Sequence, residues 1–85
     1  MQGGGKANLK MKELLETIAK SLVDNPDEVN VTVVEKEDVI VLELRVGEGD
    51  MGKVIGRQGR IAKAIRTVIR SATTQSPKKV VVDIL

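Results

Sequence analysis

The chain has 85 residues, room for one small domain, with 41% hydrophobic residues and a net charge of +2. It contains no cysteine and no histidine, which excludes a disulfide framework, a thiolate or imidazole metal site and a Ser-His-Asp triad. It also contains no Phe, Tyr or Trp, so any stacking of planar ligands on aromatic rings is excluded as well.

Neither a membrane span of ~20 apolar residues nor a secretory h-region is evident, and the expectation is a soluble, cytoplasmic, single-domain protein. The charge is unevenly spread. Residues 9–50 carry five Lys/Arg and eleven acids, a net of −6, whereas residues 51–85 carry eight Lys/Arg and one acid, a net of +7. This split suggests an anionic partner for the C-terminal half, with a merely solvated basic face as the alternative.

In chain order, residues 1–8 hold three consecutive glycines and no periodic signal, and the segment before Met11, a candidate natural start, is expected to be a disordered tail or a cloning remnant over residues 1–10. From Leu9 to about Val23, apolar residues at 11, 14, 15, 18 and 22 have helical spacing. Asp24-Asn25-Pro26 stops that helix, because the residue before proline disfavours the helical region. Val29–Val34 and Val39–Val46 alternate as strands, and the polar break Glu35–Asp38 between them predicts an antiparallel hairpin. Asp50 is the predicted N-cap of a short helix over Met51–Ile55. A longer helix is expected from Arg60 to about Thr73. Its apolar stripe is Ile61, Ile65, Val68, Ile69 and Ala72, and its basic stripe is Lys63, Arg66 and Arg70. After Ser76-Pro77, Val80–Ile84 predicts a last strand. The two helices before it allow a crossover that brings it parallel to the second strand. The order α-β-β-α-α-β therefore predicts an α+β two-layer sandwich, a three-stranded mixed sheet with helices on one face.

Three glycine motifs compete for attention. Gly47–Gly52 fits G-x-G-x-x-G, but the acid required ~20 residues further on is missing, and Glu48 and Asp50 would repel a pyrophosphate. Gly47–Lys53 fits the start of a phosphate-binding P-loop, but Val54 stands where Ser or Thr must hold magnesium. Gly56-Arg57-Gln58-Gly59 is different. Gly56 can end one helix at φ > 0, and Gly59 can admit a ligand to the start of the next, where unpaired N–H groups and the positive dipole end lie. Arg57, Gln58 and Arg60 add donors there, and no acid occurs between Met51 and Val82. An ordinary helical corner is the bland alternative.

The run Val54-Ile55-Gly56-Arg57-Gln58-Gly59-Arg60-Ile61 resembles the signature of the KH domain, whose GXXG loop clamps a nucleic-acid backbone. The element order resembles the type II form of that fold. Asp50–Gly56 and Ala64-Ile65-Arg66 are similar to the small bacterial single-KH proteins of the KhpA family, a resemblance that covers residues 11–85. It implies a single-stranded RNA ligand held over about four nucleotides. In that setting Gly56, Arg57, Gln58, Gly59, Arg60, Lys53 and Lys63 are expected at phosphates. Val54, Ile55 and Ile61 are expected as an aliphatic floor for bases, and Val80–Val82 as the opposite wall, with Lys78 and Lys79 beside it. Val54 and Ile61 have a core role as the competing reading. The resemblance further implies a homodimer, a complex with a larger Jag-type KH protein, and RNA-chaperone and post-transcriptional roles linked to cell elongation and cell-wall homeostasis. No catalytic residue, cofactor or metal is expected. The competing function is a protein-interaction module with a KH fold and little RNA binding of its own.

Overall fold

The computed structural model describes residues 4–85. Helix α1 (Gly4–Leu22) is followed by strands β1 (Asn30–Glu35) and β2 (Val39–Arg45), helices α2 (Met51–Ile55) and α3 (Arg60–Ala72), and strand β3 (Lys79–Ile84). The sheet order is β1-β2-β3. β1 and β2 pair antiparallel, with Val31 opposite Leu44 and Val33 opposite Leu42. β2 and β3 pair parallel, with Leu42 opposite Val82. The result is the expected two-layer α+β sandwich.

The binary pattern decides which faces meet. The alternating set Ile40, Leu42 and Leu44 on the central strand is buried, joined from the edge strands by Val31 and Val82. Met11, Leu15 and Ala19 from α1, Val54 from α2, and Ile65 and Ile69 from α3 close over them in one cluster. With no aromatic ring available, this core is wholly aliphatic. The hairpin is tight: the Lys36 N–H donates to the Val39 carbonyl at 2.8 Å, which leaves Glu37 and Asp38 at the tip.

Three details differ from the sequence-based expectation. First, α1 includes residues 4–10, expected as tail, while residues 1–3 lie outside the described residues. Lys6, Ala7, Leu9 and Lys10 are good helix formers, and lengthening an existing helix avoids the cost of nucleation. Asn8 Nδ2 also donates to Glu35 Oε1 at 3.0 Å, tying this turn of helix to the hairpin. Second, the buried stripe of α3 is Ala62, Ile65 and Ile69, whereas Val68 and Ala72 are exposed and Ile61 is half-buried. Ile65 and Ile69 are buried as expected, but the buried face is shifted towards Ala62, and Ile61 packs beside the turn at Gly56. Third, Asp50 makes no side-chain cap to α2. Its carboxylate faces the other way: Oδ1 accepts the Asp24 N–H at 3.2 Å and Oδ2 the Asn25 N–H at 3.0 Å.

Candidate nucleic-acid interface

The turn between α2 and α3 is built on three residues with positive φ. Gly56 has φ 76 and ψ 174, a region open essentially to glycine alone. Gln58 (φ 57, ψ 24) and Gly59 (φ 74, ψ 15) are both left-handed. Gln58 is the only non-glycine residue with positive φ among the described residues, and such a conformation costs roughly 1–2 kcal/mol in an L-residue. The Gly56 N–H closes the last turn of α2 on the Gly52 carbonyl at 2.8 Å, and the Gly59 N–H returns to the Gly56 carbonyl at 3.1 Å.

The two glycines are needed for different reasons. A Cβ on Gly56 would stand 2.5 Å from Ile61 Cγ1, so its absence lets Ile61 pack under the turn. A Cβ on Gly59 would meet nothing within 4 Å. Space is therefore left open at the start of α3, where the first N–H groups of a helix have no intrahelical acceptor.

The side chains expected at phosphates fall into two groups. Arg57, Gln58, Arg60 and Lys63 are exposed, and the one side-chain contact among them is a long Arg60 Nη2 to Gln58 Oε1 approach of 3.4 Å. Among the described residues, none of these cations is in an ion pair. Lys53 is held elsewhere. Its ammonium lies 3.1 Å from Asp24 Oδ2 and 3.5 Å from Asp50 Oδ1. The hydrogen bond to Asp24 leads the interactions that raise its pKa above the ordinary 10.5. Asp50 is only 1% exposed. Burial alone would raise its carboxyl, but the Asp24 and Asn25 N–H groups and then Lys53 outweigh that and hold it below the ordinary 3.8. The span free of acids in sequence is thus bordered in space by two carboxylates from outside it.

The expected aliphatic floor is reduced. Val54 has no exposed surface and belongs to the core, so the competing core reading holds for it, as α2 has a single buried face and Val54 fills it. Ile55 is 37% exposed, and Ile61 is half-buried beneath the turn. Further along, the C-terminal half of α3 and the edge strand β3 enclose a groove of about 570 Å³ lined by Arg66, Arg70 and Val80–Val82. Arg66 Nε donates to the Val82 carbonyl at 3.2 Å and so bridges helix to strand. Of the lysines beside this wall, Lys79 is exposed. Lys78 Nζ is bound to Glu35 Oε2 at 2.7 Å and the Lys36 carbonyl at 2.8 Å. Among the described residues no helix is long and apolar enough to cross a membrane, and no three His, Cys, Asp or Glu side chains gather as a metal site.

A family model described as "KhpA/KhpB, KH domain" matches residues 12–84. The chain belongs to this family. It is 67% identical over 75 residues to the "RNA-binding protein KhpA" of Clostridium acetobutylicum, a match that covers 88% of this chain and 100% of the relative. It is 63% identical, with the same coverage, to the protein of that name from Clostridium perfringens. Among solved structures it is similar to Aquifex aeolicus Era bound to GDP and AlF4−, with a TM-score of 0.65 at 20% identity, and to Era in complex with MgGDPNP and nucleotides 1506–1542 of 16S ribosomal RNA, with a TM-score of 0.68 at 21% identity. These matches cover 92% and 91% of this chain but 30% of each Era chain. At that identity they establish the KH fold, and the domain accounts for under a third of those larger proteins.

Two residues of the site were hidden from sequence reasoning. Asp50 stands three residues before Lys53, a spacing that signals a helical ion pair. Asp24 has no such signal, since it lies across a hairpin from its partner.

Proposed function

We propose that this KH domain binds single-stranded RNA, with Gly56–Gly59 clamping the phosphate backbone. The observation that carries the reading is the turn: three positive-φ residues hold Arg57, Gln58 and Arg60 out at the start of a 13-residue helix, and among the described residues no carboxylate pairs with either arginine. The helix N-terminus favours an anion at that point, and Lys63 extends the donors by one turn. Ile55 and the accessible part of Ile61 form the floor for bases, and the groove along α3 and β3 continues the track past Val80–Val82. The relatives named RNA-binding proteins support the same ligand. The KH unit comprises residues 11–85, with the helical residues 4–10 an extension of it.

Without aromatic stacking, which contributes ~1–3 kcal/mol per base elsewhere, binding rests on charge and is of micromolar strength. A module of this kind gains from assembly through effective concentration. Homodimer formation, a complex with a Jag-type KH protein, a cytoplasmic RNA-chaperone or post-transcriptional role, and a link to cell elongation and cell-wall homeostasis belong to this proposal on family grounds. The role is binding, not catalysis. A second reading, a protein-interaction module, is favoured by one observation: Val68 is 46% exposed on α3 beside exposed Ala64 and Ala72.

Titration of a labelled single-stranded RNA against the parent and the double variant Arg57→Asp/Gln58→Asp separates the readings. The RNA clamp predicts a loss of about tenfold or more, since phosphate contacts dominate such affinities, with an unchanged melting temperature. Equal binding by both proteins rules out the clamp, and no binding by the parent favours the interaction module.

A further inference from the structure

Among the described residues, Lys53 is the one cation next to the glycine turn whose charge is already engaged. Its Cα lies about 4.5 Å along the axis of α2 before Gly56, at 1.5 Å per residue. Two carboxylates share its ammonium, and they are not equivalent. Asp50 is buried and keeps two backbone N–H donors whether or not Lys53 is present. Asp24 is 75% exposed in its side chain, and Lys53 is its one side-chain partner among the described residues. Its backbone N–H, not its carboxylate, makes the structural bond to Asp50. Breaking the Asp24–Lys53 contact therefore orphans no buried group: Asp24 returns to water, and Lys53 keeps only its longer 3.5 Å approach to Asp50.

We propose, building on the RNA-clamp reading, that Asp24 sets the affinity of the site by competing with RNA phosphate for the Lys53 ammonium. In the free protein Lys53 rests on Asp24. A phosphate placed over the adjacent turn is an alternative anion for the same ammonium, whose side chain is 43% exposed. Exposed ion pairs are weak, so a phosphate can displace one without a large penalty. Asp24 acts as a brake on affinity: it subtracts one cation from the track until the ligand takes that cation over. The acid is placed by the end of α1, which makes the α1–β1 turn part of the binding site although it carries no cation of its own.

The test is a double-mutant cycle with Asp24→Asn and Lys53→Met, read by fluorescence anisotropy with a labelled random-sequence RNA octamer at several salt concentrations. Melting temperatures and a second exchange, Asp24→Ser, control for the fold. Asp24→Asn is expected to tighten binding by about threefold at low salt and to steepen the plot of log K against log salt by no more than about 0.7, the increment for one phosphate contact on a single strand. In the Lys53→Met background the same exchange should leave affinity and slope unchanged. An equal gain in both backgrounds overturns the proposal, because Asp24 would then act only as a general repulsive charge. No change in either background overturns it too, because Lys53 would then never reach the ligand. In both cases the clamp stands if Arg57→Asp/Gln58→Asp abolishes binding by an otherwise competent parent. Failure of the parent to bind any RNA removes both.

Discussion

Gly56 and Gly59 share a positive φ but not a reason for being glycine. At Gly56 the backbone conformation and the packing of Ile61 both exclude a side chain, since a Cβ would approach Ile61 to 2.5 Å. At Gly59 the left-handed conformation is the sole obstacle, and the space beside it is empty. Replacement of each by alanine should separate these effects in a thermal or denaturant melt. Gly59→Ala should cost roughly 1–2 kcal/mol, the price of one left-handed L-residue. Gly56→Ala should cost more, because about 1–3 kcal/mol of backbone strain is joined by displacement of Ile61. Equal losses at the two positions would contradict the packing role of Ile61. Their local part was legible in the sequence, because a G-x-x-G between two helical patterns implies a turn needing φ > 0. The contact with Ile61 was not, because it depends on how α3 leaves the turn.

At the scale of elements, Asp50 joins two pieces of structure. It receives the N–H groups that follow α1, and with Lys53 it ties them to α2, which leads directly into the glycine turn. Its carboxyl lies below the ordinary value of 3.8. The stability it contributes is therefore complete above that pH and is lost as pH falls through the lower value of the folded state. Lys53 has the opposite sign: its pKa is raised, so its contribution is complete below 10.5 and is lost as pH rises through its folded value. Thermal melts of the parent and Asp50→Asn from neutral pH into acid provide the check. Asn supplies only one oxygen to two N–H donors, so the variant should melt lower at neutral pH, and the gap should close below pH 3.8. A gap that stays constant would show that the Asp50 charge contributes nothing. The helices, strands and their order were recoverable from periodicity, but Asp50 was expected to cap α2. The local position was right for a cap, and two backbone donors delivered by the end of α1 outcompeted it.

For the molecule as a whole, the consequence of lacking aromatics is a core assembled from Leu, Ile, Val, Ala and Met around one central strand. Leu42 and Leu44 are both fully buried there. Leu42→Ala should cost about 2–5 kcal/mol, a large share of the stability of so small a domain, and the midpoint of urea unfolding measures it. A loss below about 1 kcal/mol would mean that the sheet and α3 collapse into the cavity. The same absence leaves the surface to charge, and the lopsided distribution noted in the sequence becomes a spatial one: exposed Arg57, Arg60, Lys63, Arg66 and Arg70 run along α3 from the turn towards the β3 groove.

By itself the sequence determined the element order, the α+β class and the place of the glycine turn. These follow from the repeat of apolar residues and from backbone limits on glycine and proline, which act over a few neighbouring residues. Only the tertiary structure decided that Val54 is core and not a contact, that Arg66 reaches the Val82 carbonyl, and that Asp24 shares Lys53 with Asp50. Those outcomes depend on which residues far apart in the chain the sheet and helices bring together. An ammonium pairs with whatever carboxylate the packing places beside it, and no local pattern records that choice.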